Sequence, residues 1–196
     1  MTDELSISQI FQRGLAARAA LEEACSVSTQ QAAETIAHAL RAGHKVMFCG
    51  NGGSAGDSQH LAAEFVATLD HTKPREGFAA LALTTDSSFL TAYSNDFGFE
   101  GVFERQVQAL GREGDVLVGL STSGNSANVV RAVQAAKQKN IITIGMTGQK
   151  TSTLHELCDV VIAAPSEVTM HIQECHIAIG HAMTAAVETL FASDEK

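Results

Sequence analysis

Tryptophan is absent from the 196 residues, tyrosine occurs once and proline twice. A core here must be built from small and aliphatic side chains, which suits closely packed helices. Positive charge is also scarce: 13 Lys and Arg stand against 22 Asp and Glu, a net charge of −9. That balance argues against nucleic acid, whose phosphates need a basic footprint. It does not exclude a small phosphorylated ligand, because backbone N–H groups at a helix N-terminus hold phosphate locally. No apolar run approaches the roughly 18 residues of a membrane span. The start, MTDELSISQIFQRG, lacks the basic and apolar regions of a signal peptide, so a cytoplasmic protein is expected. Cys25, Cys49, Cys158 and Cys175 show no CxxC spacing and read as single thiols rather than a zinc-thiolate site or disulfides.

With 45% apolar and 18% charged residues the chain has the composition of a globular protein, and its length suits one domain over 1–196. Apolar spacing predicts helices over residues 5–24 and 28–40, an N-terminal helical extension before an α/β core from 43 onward. Continuous apolar runs then recur in AGHKVMFCG, GFAALALTT, GDVLVGLS, NIITIGMTG and CDVVIAAPS, the mark of strands covered on both faces. Helical segments are expected between them at 54–69, 89–93, 102–110, 126–139 and 152–157, with a last helix over 169–191. Alternating strands and helices predict a doubly wound parallel sheet, flavodoxin-like in class. Ligands in such sheets sit beyond the carboxyl ends of the strands. That rule selects the loops GNGGS, TTDSS and STSGNS, none of which carries Lys or Arg.

The third loop runs Ser121-Thr122-Ser123-Gly124-Asn125-Ser126 from a strand into a helix. Four hydroxyls and a glycine at a helix N-terminus can cup a monophosphate, although Ser and Thr also serve as ordinary caps. The sequence matches neither a Walker loop nor a dinucleotide fingerprint. In the first loop, Asn51, Gly52 and Gly53 could bond sugar hydroxyls or simply form a tight turn. His60 and Glu64 lie one turn apart on the helix that this loop opens, where they could share a proton, share a metal ion, or form an exposed polar pair. The last helix carries His171, Gln173, Glu174, His176 and His181 among apolar residues. Gln173 and His181 are about 12 Å apart in rise and roughly 80° around the helix, so either His181 or His176 could be the partner of Gln173. His171 could add a ligand or help to cap the helix.

Three stretches together, CGNGGSAGDSQHLAAEF, SNDFGFEGVFERQVQALGREGDVLVGLSTSGNSANVVRA and IQECHIAIGH, resemble the sugar isomerase (SIS) domain family. The branch they resemble most isomerises sedoheptulose 7-phosphate to D-glycero-D-manno-heptose 7-phosphate. The resemblance implies one zinc ion per subunit on His60, Glu64, Gln173 and His181. It also implies substrate contacts from Asn51, Gly52, Gly53, Asn95 and Asp96, with Glu64 and Gln173 beside them, and a phosphate seat at Ser121, Thr122, Ser123 and Ser126. Glu64 would be the base and His181 its acid partner, in a homotetramer with sites at subunit interfaces and residues 1–42 used in assembly. The alternative is a non-catalytic relative that binds the replication initiator or a sugar phosphate.

Overall fold

A computed structural model describes residues 6–193; the expected helix start at Leu5 lies outside them. The five apolar runs form β1 (Val46–Gly50), β2 (Ala80–Ala82), β3 (Val116–Leu120), β4 (Ile142–Gly148) and β5 (Val160–Ala164). All neighbours pair in parallel, in the order β2-β1-β3-β4-β5. Alternation along each strand divides the apolar residues between two cores. Val46 and Phe48 of β1, with Val116, Val118 and Leu120 of β3, face one layer. Met47, Cys49 and Leu117 face the other. Burial on both sides is what makes these strands read as unbroken apolar runs.

The first layer holds α2 (Leu21–Arg41), α3 (Gly53–Val66) and α8 (Thr169–Ala192); the second holds α5 (Val102–Leu110), α6 (Ala127–Gln138) and α7 (Thr153–Leu157). α1 (Ile7–Ala19) starts with a capping box in which Ser6 Oγ accepts from Gln9 N–H and Gln9 Oε1 accepts from Ser6 N–H. The expected break near residues 25–27 is absent. Ser28 Oγ donates back to the Cys25 carbonyl, so the serines stay within a helix, and the break falls at Ala20. α2 is itself a layer of the sandwich, with Ala32, Ala33, Ile36 and Ala37 fully buried. α1 lies outside these layers, and its Ile7, Phe11 and Leu15 are 72%, 72% and 70% exposed.

The sequence places a short helix at 89–93. The observed α4 (Ser87–Phe97) is longer, because Asp86 caps it by accepting the Phe89 N–H at 2.9 Å. No helix among the described residues is long and apolar enough to cross a membrane.

α8 packs against β4 through His176, which is fully buried; Nε2 lies 3.0 Å from the Thr147 carbonyl and Nδ1 has no partner. Burial pushes its pKa down from 6.5 to about 4, against a smaller upward pull from the Thr147 bond. The unfolded chain therefore binds a proton between these values that the folded chain refuses. Stability from this group is complete above the unfolded pKa and is lost as pH falls through 6.5 toward 4. Urea unfolding should show about 2 kcal/mol less stability at pH 5 than at pH 7.5, and His176→Gln should flatten that slope. Equal pH slopes in the two proteins would refute it.

Candidate active site

The order 2-1-3-4-5 reverses direction between β1 and β3, so their carboxyl ends open a crevice. The loop after β1 enters α3, and the loop after β3 enters α6. Both expected ligand loops thus flank one cleft, with α8 crossing beside α3.

Two glycines set how closely α3 and α8 approach. A Cβ on Gly180 would stand 2.5 Å from Leu61 Cδ2, and one on Gly53 would stand 3.3 Å from Gln173 Cγ. Glycine in mid-helix costs about 1 kcal/mol relative to Ala, so Gly180 serves packing rather than the helix itself. The residues that follow or precede these contacts are then brought face to face. His60 Nε2 lies 2.9 Å from His181 Nε2, with the rings edge to face, and 3.4 Å from Glu64 Oε1. At the far end of the helix pair, Arg75 donates to the Glu64 and Phe65 carbonyls and pairs with Glu188 of α8 at 2.8 Å. Its guanidinium also lies 3.8 Å from the Phe78 ring centre. The last turn of α3 is thereby capped and tied to α8.

Gln173 completes the expected set from the first turns of α8. Its Nε2 donates to Asp57 Oδ1 at 2.6 Å, which leaves Oε1, the amide's ligating atom, turned away from Asp57. Asp57 is buried, and its Oδ2 has no partner. Burial raises its pKa, while the Gln173 bond and the nearby His60 and His181 pull it down. The sequence reading missed Asp57. The only signal was its place one helical turn before His60.

The donor types suit zinc and several other divalent ions. Ligands around a tetrahedral zinc stand about 3.3 Å from one another, and the 2.9 and 3.4 Å spacings bracket that value. The contacts are pairwise about His60. Among the described residues, no three His, Cys, Asp or Glu side chains already form a metal-ready group. The residues therefore fit a cation by donor chemistry and by the spacing of the two pairs about His60. His176 is not the partner of Gln173, because it is buried against Thr147 of β4. His171 does not cap the helix. The helix cap is Val168, and His171 Nδ1 bonds Glu174 Oε2 at 2.9 Å beneath Gly14 of α1.

In the loop after β3, Ser121 Oγ is 2.9 Å from Ser126 Oγ and 3.4 Å from Ser123 Oγ. Ser126 occupies the N-cap of α6, yet its side chain makes no capping bond, so the hydroxyls gather into a cluster instead. Gly124 has φ +65°, and a Cβ there would collide with Ser152. Asn125 Oδ1 accepts from both Thr153 N–H and Thr153 Oγ1, which ties the loop to α7. Thr122 gives its carbonyl to Gly148 N–H at 3.2 Å. In the loop after β1, Gly52 has φ +56° and caps α3, with Gly53 as the helix's first residue. Asn51 is turned toward Asn128 rather than outward. Asn95 and Asp96 lie exposed in the last turn of α4 and bond each other at 2.8 Å; no hydrogen bond among the described residues joins them to the other candidates. A cavity of about 830 Å³ between α2, residues 69–79 and the end of α8 contains none of the candidate residues.

Gly180→Ala should cost about 1–3 kcal/mol by overpacking against buried Leu61 and should separate the two imidazoles. Thermal unfolding and the histidine ring resonances would read both effects, and adding Leu61→Ala should restore the spacing. Unchanged resonances in Gly180→Ala would show that Gly180 does not set the contact.

Comparison with known proteins identifies the family. The model of the SIS domain family matches residues 11–148. The chain is 51% identical over 169 residues to phosphoheptose isomerase of Rhodospirillum rubrum, covering 86% of this chain and 89% of that protein. It is 45% identical to the Bradyrhizobium enzyme of the same name over the full length of both. Two solved structures superpose closely. Phosphoheptose isomerase of Neisseria gonorrhoeae has a TM-score of 0.87 at 43% identity, covering 93% of this chain and 97% of that one. The Francisella tularensis phosphoheptose isomerase has a TM-score of 0.89 at 32% identity, covering 96% and 100%. With a family model over most of its length and relatives at about half identity along nearly the whole chain, the chain belongs to the SIS domain family, among its phosphoheptose isomerases.

Proposed function

We propose that this isomerase converts sedoheptulose 7-phosphate to D-glycero-D-manno-heptose 7-phosphate in the cytoplasm, as the first step toward the heptose of surface glycans. The observation that carries the reading is the 2.9 Å approach of His60 to His181 with Glu64 beside it, on the helix opened by the loop that faces the hydroxyl cluster after β3 across the switch point. Ser121, Thr122, Ser123 and Ser126 receive the phosphate, helped by the positive end of α6. Gly52 and Gly53 offer backbone to the sugar end, with Asn95 and Asp96 as further sugar contacts. Zinc held by His60, Glu64, Gln173 and His181 would polarise the substrate carbonyl and stabilise negative charge developing on its oxygen.

The chain's own groups move the protons. Glu64 takes a hydrogen from C1, whose electron pair forms the C1–C2 double bond while the C2 carbonyl oxygen gains a proton from His181. The enediol then gives its O1 proton back to His181, and C2 takes a proton from Glu64, leaving an aldehyde at C1. Nothing is lost from the sugar.

Two features support assembly into a homotetramer with shared sites. His60 is 48% exposed at its side chain, and proton transfer from carbon gains from a drier site. Ile7, Phe11 and Leu15 form one exposed apolar stripe at helical spacing on α1, suited to a second copy of the chain. Phe11→Ser with Leu15→Ser should lower the mass seen by light scattering and reduce turnover together. Full mass with both changes would remove α1 from the assembly.

The deciding measurement is turnover of sedoheptulose 7-phosphate before and after chelation, with zinc and manganese added back. Glu64→Gln should lose roughly 10²–10⁴-fold in turnover and should fail to exchange the C1 hydrogen with deuterated water. Near-normal turnover in Glu64→Gln would overturn its role as base, and no turnover under any metal would overturn the substrate.

A further inference from the structure

The Asn51 side chain, expected to bond the sugar, is committed elsewhere. Its Nδ2 donates to Asn128 Oδ1 at 2.9 Å, and Asn128 Nδ2 donates to Asn51 Oδ1 at 2.8 Å. Asn128 sits in the first turn of α6, only 4% exposed, and its Oδ1 also accepts the Val129 N–H at 3.0 Å. The two asparagines come from the two sides of the switch point, so the pair bridges the crevice from the β1 loop to the β3 loop.

The strands beneath leave no slack. Gly50 and Leu120, the last residues of β1 and β3, stand in register, and a Cβ on Gly50 would be 3.0 Å from the Leu120 carbonyl. Above that closed base, each loop would be free to tilt without a second tie. A reciprocal amide pair fixes two points at once and resists both sliding and splaying. It adds no charge beside a phosphate seat, as an ion pair would. On the other side the β3 loop is held by Asn125 and Thr153, so among the described residues the Asn51–Asn128 pair is the side-chain tie that spans the crevice between the proposed sugar and phosphate ends.

We infer that Asn128, through its reciprocal amide bonds with Asn51, is a positioning residue that sets the spacing between the sugar loop and the phosphate seat and so selects ketose phosphates by chain length. This rests on the proposed assignment of the two loops. A seven-carbon ketose phosphate has one more carbon between its carbonyl and its phosphate than a six-carbon one, and so a longer reach. With the spacing held, only one of them brings C1 to Glu64 while its phosphate lies at Ser121.

The test compares sedoheptulose 7-phosphate with fructose 6-phosphate in the wild type, Asn51→Ala, Asn128→Ala and the double variant. Asn128→Ala should lower the ratio of the two kcat/KM values about ten-fold, as expected for two lost neutral hydrogen bonds. KM for the heptulose phosphate should rise while kcat changes little. The double variant should be no worse than either single change, since both remove the same pair. Inhibition by inorganic phosphate should be unchanged in Asn128→Ala but weakened in Ser121→Ala. Asn128→Asp, which keeps both bonds accepted at Oδ1, guards against misfolding and should recover part of the selectivity. An unchanged ratio in Asn128→Ala, or losses that multiply in the double variant, would overturn the inference. Unchanged phosphate inhibition in Ser121→Ala would instead overturn the loop assignment, and the inference with it.

Discussion

The site depends on one close contact, the seating of Gly180 of α8 against Leu61 of α3. A larger residue at either Gly180 or Gly53 would move the helices apart by part of a side chain, and the imidazoles next to the contact would lose their 2.9 Å approach. Cation ligation and proton transfer both tolerate errors of only a fraction of an ångström. The geometry is therefore placed on two long helices rather than on loops. It is held at three levels: Gly53 against Gln173, Gly180 against Leu61, and Arg75 against Glu188. Arg75 also ends α3, so the same side chain fixes the length of the helix and its position.

The two loops follow a different strategy. They carry no cation, and their shape comes from side-chain amides and hydroxyls bonded within and between loops. A lysine would attract phosphate more strongly but would also adapt to any position of it. Neutral donors at fixed places bind an anion only where several converge, so rigidity supplies the discrimination that charge would blur. This also reconciles a net charge of −9 with an anionic substrate.

Much of this was legible in the sequence, and the failures have physical causes. All five strands were found because burial on two faces leaves an unbroken apolar run, as in VMFCG and VLVGL. Contacts from His60 to His181 and Glu64, and from Gln173 to Asp57, lie between α3 and α8, where spacing alone left His176 as a rival partner of Gln173. Only packing removes it, since His176 and His181 differ by which face of α8 meets the sheet and which meets α3. The helix start expected at Ser28 is absent, because Ser28 bonds backward to a carbonyl within α2. Asn51 was given to the sugar because nothing local reveals a partner 77 residues away. Gly180 was visible as a glycine in an apolar helix, yet its meaning lies in Leu61, which only the tertiary contact supplies.

The exposure of the site follows from the same architecture. A switch-point crevice is roofed only by its loops, and here the loops are short and drawn toward each other by Asn51 and Asn128. The His60 side chain stays 48% exposed, while α4, whose residues are nowhere fully buried, presents Phe97 outward beside Asn95 and Asp96, with exposed Phe99 just after it. An isomerase of this type must keep water from the carbanion-like centre at C1. Lengthening the loops could do that, but it would weaken the tie that sets their spacing. A second copy of the chain can cover the crevice without touching that tie, which gives the proposed tetramer a catalytic reason beyond burying the apolar stripe of α1.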